Sequence, residues 1–306
     1  MKLAFFQGCN IPIRIEQYAV SATAVLRTFG IELETIDDFT CCGYPVRNVD
    51  ETAYLAPSVR NIALAEKRGI DIMTICNCCF GSLQKARHAM AGDPHLGETV
   101  NELLAKDSLT YHGTGSVKHL LTVLHDEVGT PAIAAKLSHR YTELKVAVLH
   151  GCHLLRPREV TRFDDSFVPR ITGELVQLTG AANLDWPGAL ECCGAALAGI
   201  NEDLSRSLLL EKVQGARVAG AEFIVPVCAY CYLQLDSVQA TEKGDPLPVL
   251  LYPQLLGLCL GLSPEVLGIG LNSSIADHHI SLLESRLGPP TTEKKSRKKA
   301  RATAAA

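Results

Sequence analysis

The chain has 306 residues, 47% of them hydrophobic, enough to bury a substantial core in one or two domains. A formal net charge of −4 gives no electrostatic case for nucleic-acid binding. No basic, apolar leader opens the sequence, and its most apolar stretch, Leu247 to Leu271, is broken by Pro253, Gln254, Ser263, Pro264 and Glu265, so a cytoplasmic protein without a membrane span is expected.

In chain order, Lys2 to Phe6 reads as a short strand ending in Gly8-Cys9. Tyr18, Val25, Leu26 and Phe29 then share one helical face, closed by Gly30. After Cys41-Cys42-Gly43, a second helix carries Leu55, Val59 and Ile62 ahead of Gly69. Ile70 to Ile75 is a buried strand ending on Cys76-Asn77-Cys78-Cys79. Helical periodicity marks 91–144, as in Val117, Leu120, Leu121 and Leu124, and predicts a helical connection.

The order then recurs. Lys145 to Leu149 is a strand ending in Gly151-Cys152, followed by Cys192-Cys193-Gly194. A helix with Leu204 and Leu208 opening its apolar stripe precedes Gly220, and Glu222 to Val227 ends on Cys228-Ala229-Tyr230-Cys231. Pro246 to Leu287 reads as added loop and helix. Beyond it, 289–306 holds Lys294, Lys295, Arg297, Lys298, Lys299 and Arg301 against the single acid Glu293, a composition of disorder. That tail either docks an acidic partner or simply solubilises the terminus.

Strands alternating with helices predict an α/β protein of two pseudo-symmetric halves, each a small, mostly parallel sheet with flanking helices, joined by the helical connection. The expected units are 1–140, 141–288 and the tail 289–306. Ligands of such sheets sit beyond the carboxyl ends of the strands, where Cys9, Cys76, Cys152 and Cys228 fall.

Twelve cysteines are many for a chain in a reducing compartment, where clustered thiols serve as metal ligands or redox centres more often than as disulfides. Between the single cysteine and the pair lie 31 residues in the first set and 39 in the second; between the pair and the final C-x-x-C lie 33 and 34. A structural zinc site takes four ligands, usually from two C-x-x-C hooks. An adjacent pair diverges from one small ion and suits a larger, multi-metal object. Gly43 and Gly194, lacking Cβ, would let the backbone turn and approach a bulky cofactor. No G-x-G-x-x-G follows a strand, so neither a flavin nor a nicotinamide site is expected here.

The whole pattern resembles the CCG-domain family, and nearly all of the chain except the tail resembles the B subunits of heterodisulfide reductases, including the heterodisulfide-reductase-like complexes of sulfur-oxidising bacteria. The residues that carry the resemblance are Ala4 to Pro12 (AFFQGCNIP), Cys76 to Leu83 (CNCCFGSL), Val117 to Leu121 (VKHLL), Gly151 to Pro157 (GCHLLRP) and Leu255 to Leu262 (LLGLCLGL). The resemblance implies two noncubane [4Fe-4S] clusters. Cys9, Cys41, Cys42, Cys76 and Cys79 would hold the first; Cys152, Cys192, Cys193, Cys228 and Cys231 would hold the second. It further implies a disulfide substrate between the clusters, each cluster delivering one electron. Electrons would come from a ferredoxin-like iron–sulfur subunit fed by a flavoprotein subunit. An electron-relay subunit of a lactate, glycolate or succinate type dehydrogenase and a structural zinc protein are the competing readings.

Cys78 stands where the family more often has a small residue and reads as a spectator thiol. Cys259, in an apolar segment, reads as a core thiol. His153 and Arg156 are the candidate catalytic residues: proton delivery to a leaving thiolate for the first, charge compensation of an anionic cluster or substrate for the second. An imidazole–carbonyl hydrogen bond is the plain alternative for His153, and the favoured one for His150 and His119. His278-His279 reads as solvated.

Overall fold

The computed structural model describes residues 1–241 and 245–290. The proposed tail therefore lies outside the described residues from position 291 onward. Two parallel sheets organise the chain. The first has the order β2-β1-β3-β4, with β1 at Lys2–Phe6, β2 at Glu32–Glu34, β3 at Ile72–Thr74 and β4 at Val117–His119. The second has the order β6-β5-β7, with β5 at Lys145–Leu149, β6 at Ala182–Asn183 and β7 at Phe223–Pro226. Strands β1, β3, β5 and β7 are continuous buried apolar runs apart from Lys2, Lys145 and Thr74, as expected where helices cover both faces of a parallel sheet.

The helices obey their caps. Glu51–Lys67 starts at Asp50, whose Oδ1 accepts from Ala53 N at 2.6 Å, and Glu202–Val218 starts at Asn201, which accepts from Leu204 N at 3.0 Å. Tyr18, Val25, Leu26, Leu55, Val59 and Ile62 are buried as their spacing implies. The second-half stripe is different. Its buried face is Ser205, Leu209, Lys212, Val213 and Ala216, while Leu204 points outward. Three consecutive leucines at 208–210 suit several registers, and polar Ser205 and Lys212 disguise the inner face.

The 91–144 connection is less helical than its periodicity suggests. Val117 to His119 is β4, the fourth strand, and helix resumes only at Leu120. Pro246 to Leu287 is likewise more than an addition: Val249 bridges Ile224 in parallel, occupying beside β7 the place that β4 occupies beside β3. The helix Tyr252–Cys259 follows it, as Leu120–Lys136 follows β4.

These trailing helices cross between the halves. Tyr252–Cys259 packs on the first-half helix Glu16–Thr28, and the turns at Leu120–Thr122 and Thr130–Lys136 pack on the second-half helix Ile171–Leu178. A buried polar knot ties the same seam. Gln17 Nε2 donates to Tyr232 Oη at 2.8 Å, Tyr232 donates to Asp236 at 3.1 Å, and Asp236 also accepts from Ser274 Oγ at 2.6 Å. Cys259 is buried, with Sγ 3.6 Å from the Thr179 carbonyl; burial pushes its pKa up to about 12, the state of an inert core thiol. Among the described residues no helix is long and apolar enough to cross a membrane.

Candidate functional site at the junction of two thiol nests

Four strands each deliver a cysteine from the carboxyl end. β1 leads to Cys9 and β3 to Cys76; β5 leads to Cys152 and β7 to Cys228. The adjacent pairs enter from loops that stop at a left-handed glycine, Gly43 with φ 80° and Gly194 with φ 82°. A Cβ on Gly43 would meet the Tyr54 carbonyl oxygen at 2.1 Å, and one on Gly194 the Ser205 oxygen at 2.6 Å. These glycines thus bring the loop against a helix backbone, and Gly194 N also donates to Cys192 Sγ at 3.4 Å. Gly8 leaves no room for a side chain beside a thiol: its Cβ would lie 2.7 Å from Cys79 Sγ.

The two sets converge as two pockets with one common wall. Cys9, Cys41, Cys42, Cys76 and Cys79 line the first with Asn10, Tyr44 and Tyr230. Cys152, Cys192, Cys193, Cys228 and Cys231 line the second with Tyr44, His153 and Tyr230. Cys78 lines both. Hydrogen-bonding contacts run from Cys41 through Cys42, Cys79 and Cys76 to Cys78. They continue from Cys78 to Cys228, then through Cys231 and Cys193 to Cys192 and Cys152. Cys9 flanks the first end, beside Cys41. Cys78, which the sequence marks as a spectator, is the sulfur at which the two nests touch.

Protons distribute unevenly along this row. Contacts from Cys41, then Cys79, lower Cys42; contacts from Cys78 and Cys79 lower Cys76; contacts from Cys152 and Cys193 lower Cys192. Cys231, then Cys78, hold Cys228 well below the thiol range. The donors Cys41, Cys79, Cys152 and Cys231 are raised in return. Each nest thus favours thiolate at two sulfurs, the form in which cysteine binds metal. Among the described residues, no three His, Cys, Asp or Glu side chains are arranged for a single metal ion. Five converging sulfurs beside a glycine that leaves no room for Cβ form a donor set of the size and softness that an iron–sulfur cluster takes.

Two of the contacts that cross the junction are counterparts. Asn10 follows Cys9 and donates from Nδ2 to Tyr230 Oη at 2.8 Å. His153 follows Cys152, and its Nδ1 lies 3.1 Å from Cys78 Sγ. Tyr230 and Cys78 are the matching middle residues of the two C-x-x-C turns. His153 Nε2 lies 3.3 Å from Tyr44 Oη, whose ring also approaches Tyr230 with centroids 6.3 Å apart. Burial raises both tyrosines above the ordinary phenol value, so they stay protonated. Tyr44, directly after the first CCG, is the junction residue that sequence reasoning misses; its only signal is an aromatic beside a ligand-bearing turn.

The other candidates lie elsewhere. Arg156 is exposed, with Nη1 and Nη2 3.5 and 3.4 Å from the Leu190 and Ser166 carbonyls; it braces the loop ahead of Cys192 and lines neither pocket. His119 is buried against Phe80 and Phe163, accepts from Leu121 N at Nδ1 and is held near pKa 3 by burial. Burial also lowers His150, to about 4. The expected imidazole–carbonyl bond is seen at neither of these two side chains. His278 is solvated, but His279 is half-buried, caps its helix by accepting from Ala276 N at 3.1 Å and packs on Phe223.

Comparison with known proteins agrees with this architecture. The cysteine-rich domain family, CCG, matches residues 3–84 and 146–236, one match per half. A protein of Archaeoglobus profundus described as like the B subunit of heterodisulfide reductase is 35% identical over 87% of this chain and 92% of its own length. The B subunit of the ferredoxin/F420H2-dependent CoB-CoM heterodisulfide reductase of Methanosarcina acetivorans is 34% identical, covering 89% and 93%. The 8-methylmenaquinol:fumarate reductase membrane anchor subunit of Wolinella succinogenes is 31% identical, covering 89% and 96%. A crystal structure of a hypothetical protein from Helicobacter pylori shares the fold, with TM-score 0.71 and 15% identity over 90% of this chain and 52% of that one. The chain belongs to the CCG-domain family, in the group that contains the B subunits of heterodisulfide reductases.

Proposed function

We propose that this chain is the iron–sulfur subunit of a heterodisulfide-reductase-like enzyme, making or breaking a sulfur–sulfur bond at the junction of two noncubane [4Fe-4S] clusters. The observation that carries this reading is the shared wall: the two five-cysteine nests meet at Cys78 and Cys228, so one S–S unit lodged there lies within reach of both. When bound, the two clusters would supply the two single electrons that a disulfide requires. Tyr44 and Tyr230 cover the junction with aromatic rings and keep their phenolic protons. His153 is held between Cys78 Sγ and Tyr44 Oη, where it can carry a proton at Nδ1 beside a departing thiolate. A ferredoxin-like subunit and a flavoprotein subunit would exchange electrons with the chain, in keeping with the multi-subunit names of its relatives.

Anaerobic purification of the native complex, with iron and sulfide analysis, tests the proposal. About eight irons per chain are expected for two four-iron clusters, with a spectral change of the reduced protein on adding a disulfide. Stoichiometric zinc without iron would overturn it. A second reading is an electron relay to a dehydrogenase-type partner; the Wolinella relative, named as a subunit of a fumarate reductase, shows that this group is not confined to heterodisulfide reductases. Full iron, no response to any disulfide and electron exchange with such a partner would select the relay.

A further inference from the structure

The loops carrying the adjacent cysteine pairs are each fastened at the residue just before the pair, by side chains in matching positions. In the first half that residue is Thr40, and Asn61 on the helix Glu51–Lys67 grips it twice. Asn61 Oδ1 accepts from Thr40 N at 2.9 Å, and Nδ2 donates to Thr40 O at 3.1 Å. In the second half it is Glu191, and Lys212 on the helix Glu202–Val218 binds its carboxylate. Cys41 to Cys192, Thr40 to Glu191 and Asn61 to Lys212 are all the same 151 positions apart. Asn61 is fully buried and Lys212 is 3% exposed, whereas the Glu191 side chain is 57% exposed.

We propose that Asn61 and Lys212 are positioning residues, each setting the geometry of one cysteine pair, the first by a neutral fastening and the second by an ionic one. A nearly buried ammonium is costly without its partner, so Lys212 drives Glu191, and with it Cys192-Cys193, into one place. Because the carboxylate is open to solvent, salt weakens this fastening and leaves the amide one intact. The two nests, alike in their thiols, thus differ in how their pairs are held. The part that concerns clusters rests on the function proposed above; the part that concerns loop position does not.

The test separates the two. In the anaerobic protein, the cluster signals of Lys212→Met and Asn61→Ala are compared by electron paramagnetic resonance. Lys212→Met is expected to shift or remove one signal and Asn61→Ala the other, with Lys212→Arg restoring the wild-type spectrum. In the cluster-free protein, mass spectrometry follows alkylation of the buried pair members Cys42 and Cys193 by iodoacetamide. Lys212→Met, or 1 M salt in the wild type, should raise modification of Cys193 several-fold and leave Cys42 unchanged; Asn61→Ala should do the converse. Leu209→Ala, on the same buried helix face, is the control for general loosening and should move neither preferentially. If every variant raises both cysteines together, or Leu209→Ala reproduces Lys212→Met, the positioning proposal is overturned, even where the clusters are present. If alkylation follows the expected pattern but no iron is found, positioning stands and the functional reading falls.

Discussion

Cys78 and His153, one from each half, meet at 3.1 Å between Sγ and Nδ1, and Asn10 with Tyr230 repeats the contact at 2.8 Å. The repeated frame has therefore kept a matching cross-junction contact in each half while changing its chemistry. One side is amide on phenol; the other is imidazole on thiol. If Cys78 is a junction residue and not a ligand, Cys78→Ser should retain the full iron content, whereas Cys76→Ser or Cys228→Ser should lose roughly half. Iron and sulfide per chain measure this directly, and iron loss in Cys78→Ser would mean that Cys78 belongs to the ligand set.

The neutral counterpart can be weighed as an ordinary hydrogen bond. Removing the amide in Asn10→Ala, or the hydroxyl in Tyr230→Phe, should each cost about 1 kcal/mol. Urea midpoints of the single and double variants give the coupling. Strict additivity would show that the two halves gain nothing from this contact.

The glycines of the two CCG turns should not tolerate a side chain. Gly43→Ala must hold alanine at φ 80° with Cβ 2.1 Å from a carbonyl oxygen, and Gly194→Ala meets the same problem at 2.6 Å. Left-handed backbone alone costs about 1–2 kcal/mol, before the collision is counted. Gly92→Ala, at a helix end with open space around it, should be neutral or mildly stabilising by comparison. Thermal denaturation of the three variants side by side checks the contrast.

His119 gives the fold a pH dependence. Burial holds it near pKa 3, against about 6.5 in an unfolded chain. Below about pH 6.5 the unfolded state binds a proton that the folded state refuses, so stability is complete above that value and declines as pH falls toward 3. His119→Asn keeps an acceptor for Leu121 N but does not titrate in this range. Its urea midpoint should be lower than the wild type's at neutral pH, because of lost packing, yet fall less than the wild type's between about pH 6.5 and 4.5.

Much of this is legible in the chain because cysteine spacing is a long-range signal that survives divergence between the halves. It places strands, loops and nests, and the paired strand ends follow from it. What stays hidden has physical reasons. Val117 looks helical because Leu120, Leu121 and Leu124 follow it at helical spacing, and a three-residue strand is too short to state its own period. Leu204 reads as inward because no rule anticipates a lysine on a buried face until its carboxylate partner is seen. Arg156 is drawn to the site by sequence proximity, but the turn after Cys152 sends it to the Leu190 and Ser166 carbonyls.

The crossing of the trailing helices has a consequence for how such a molecule can come apart. Glu16–Thr28 is covered by a helix that is synthesised more than two hundred residues later, and Ile171–Leu178 by one that precedes it. A cut near residue 140 would strip an apolar face from each fragment, so neither piece should persist alone, while the two expressed together should find each other. The interlocking of their ends makes the two repeated halves a single unit of unfolding.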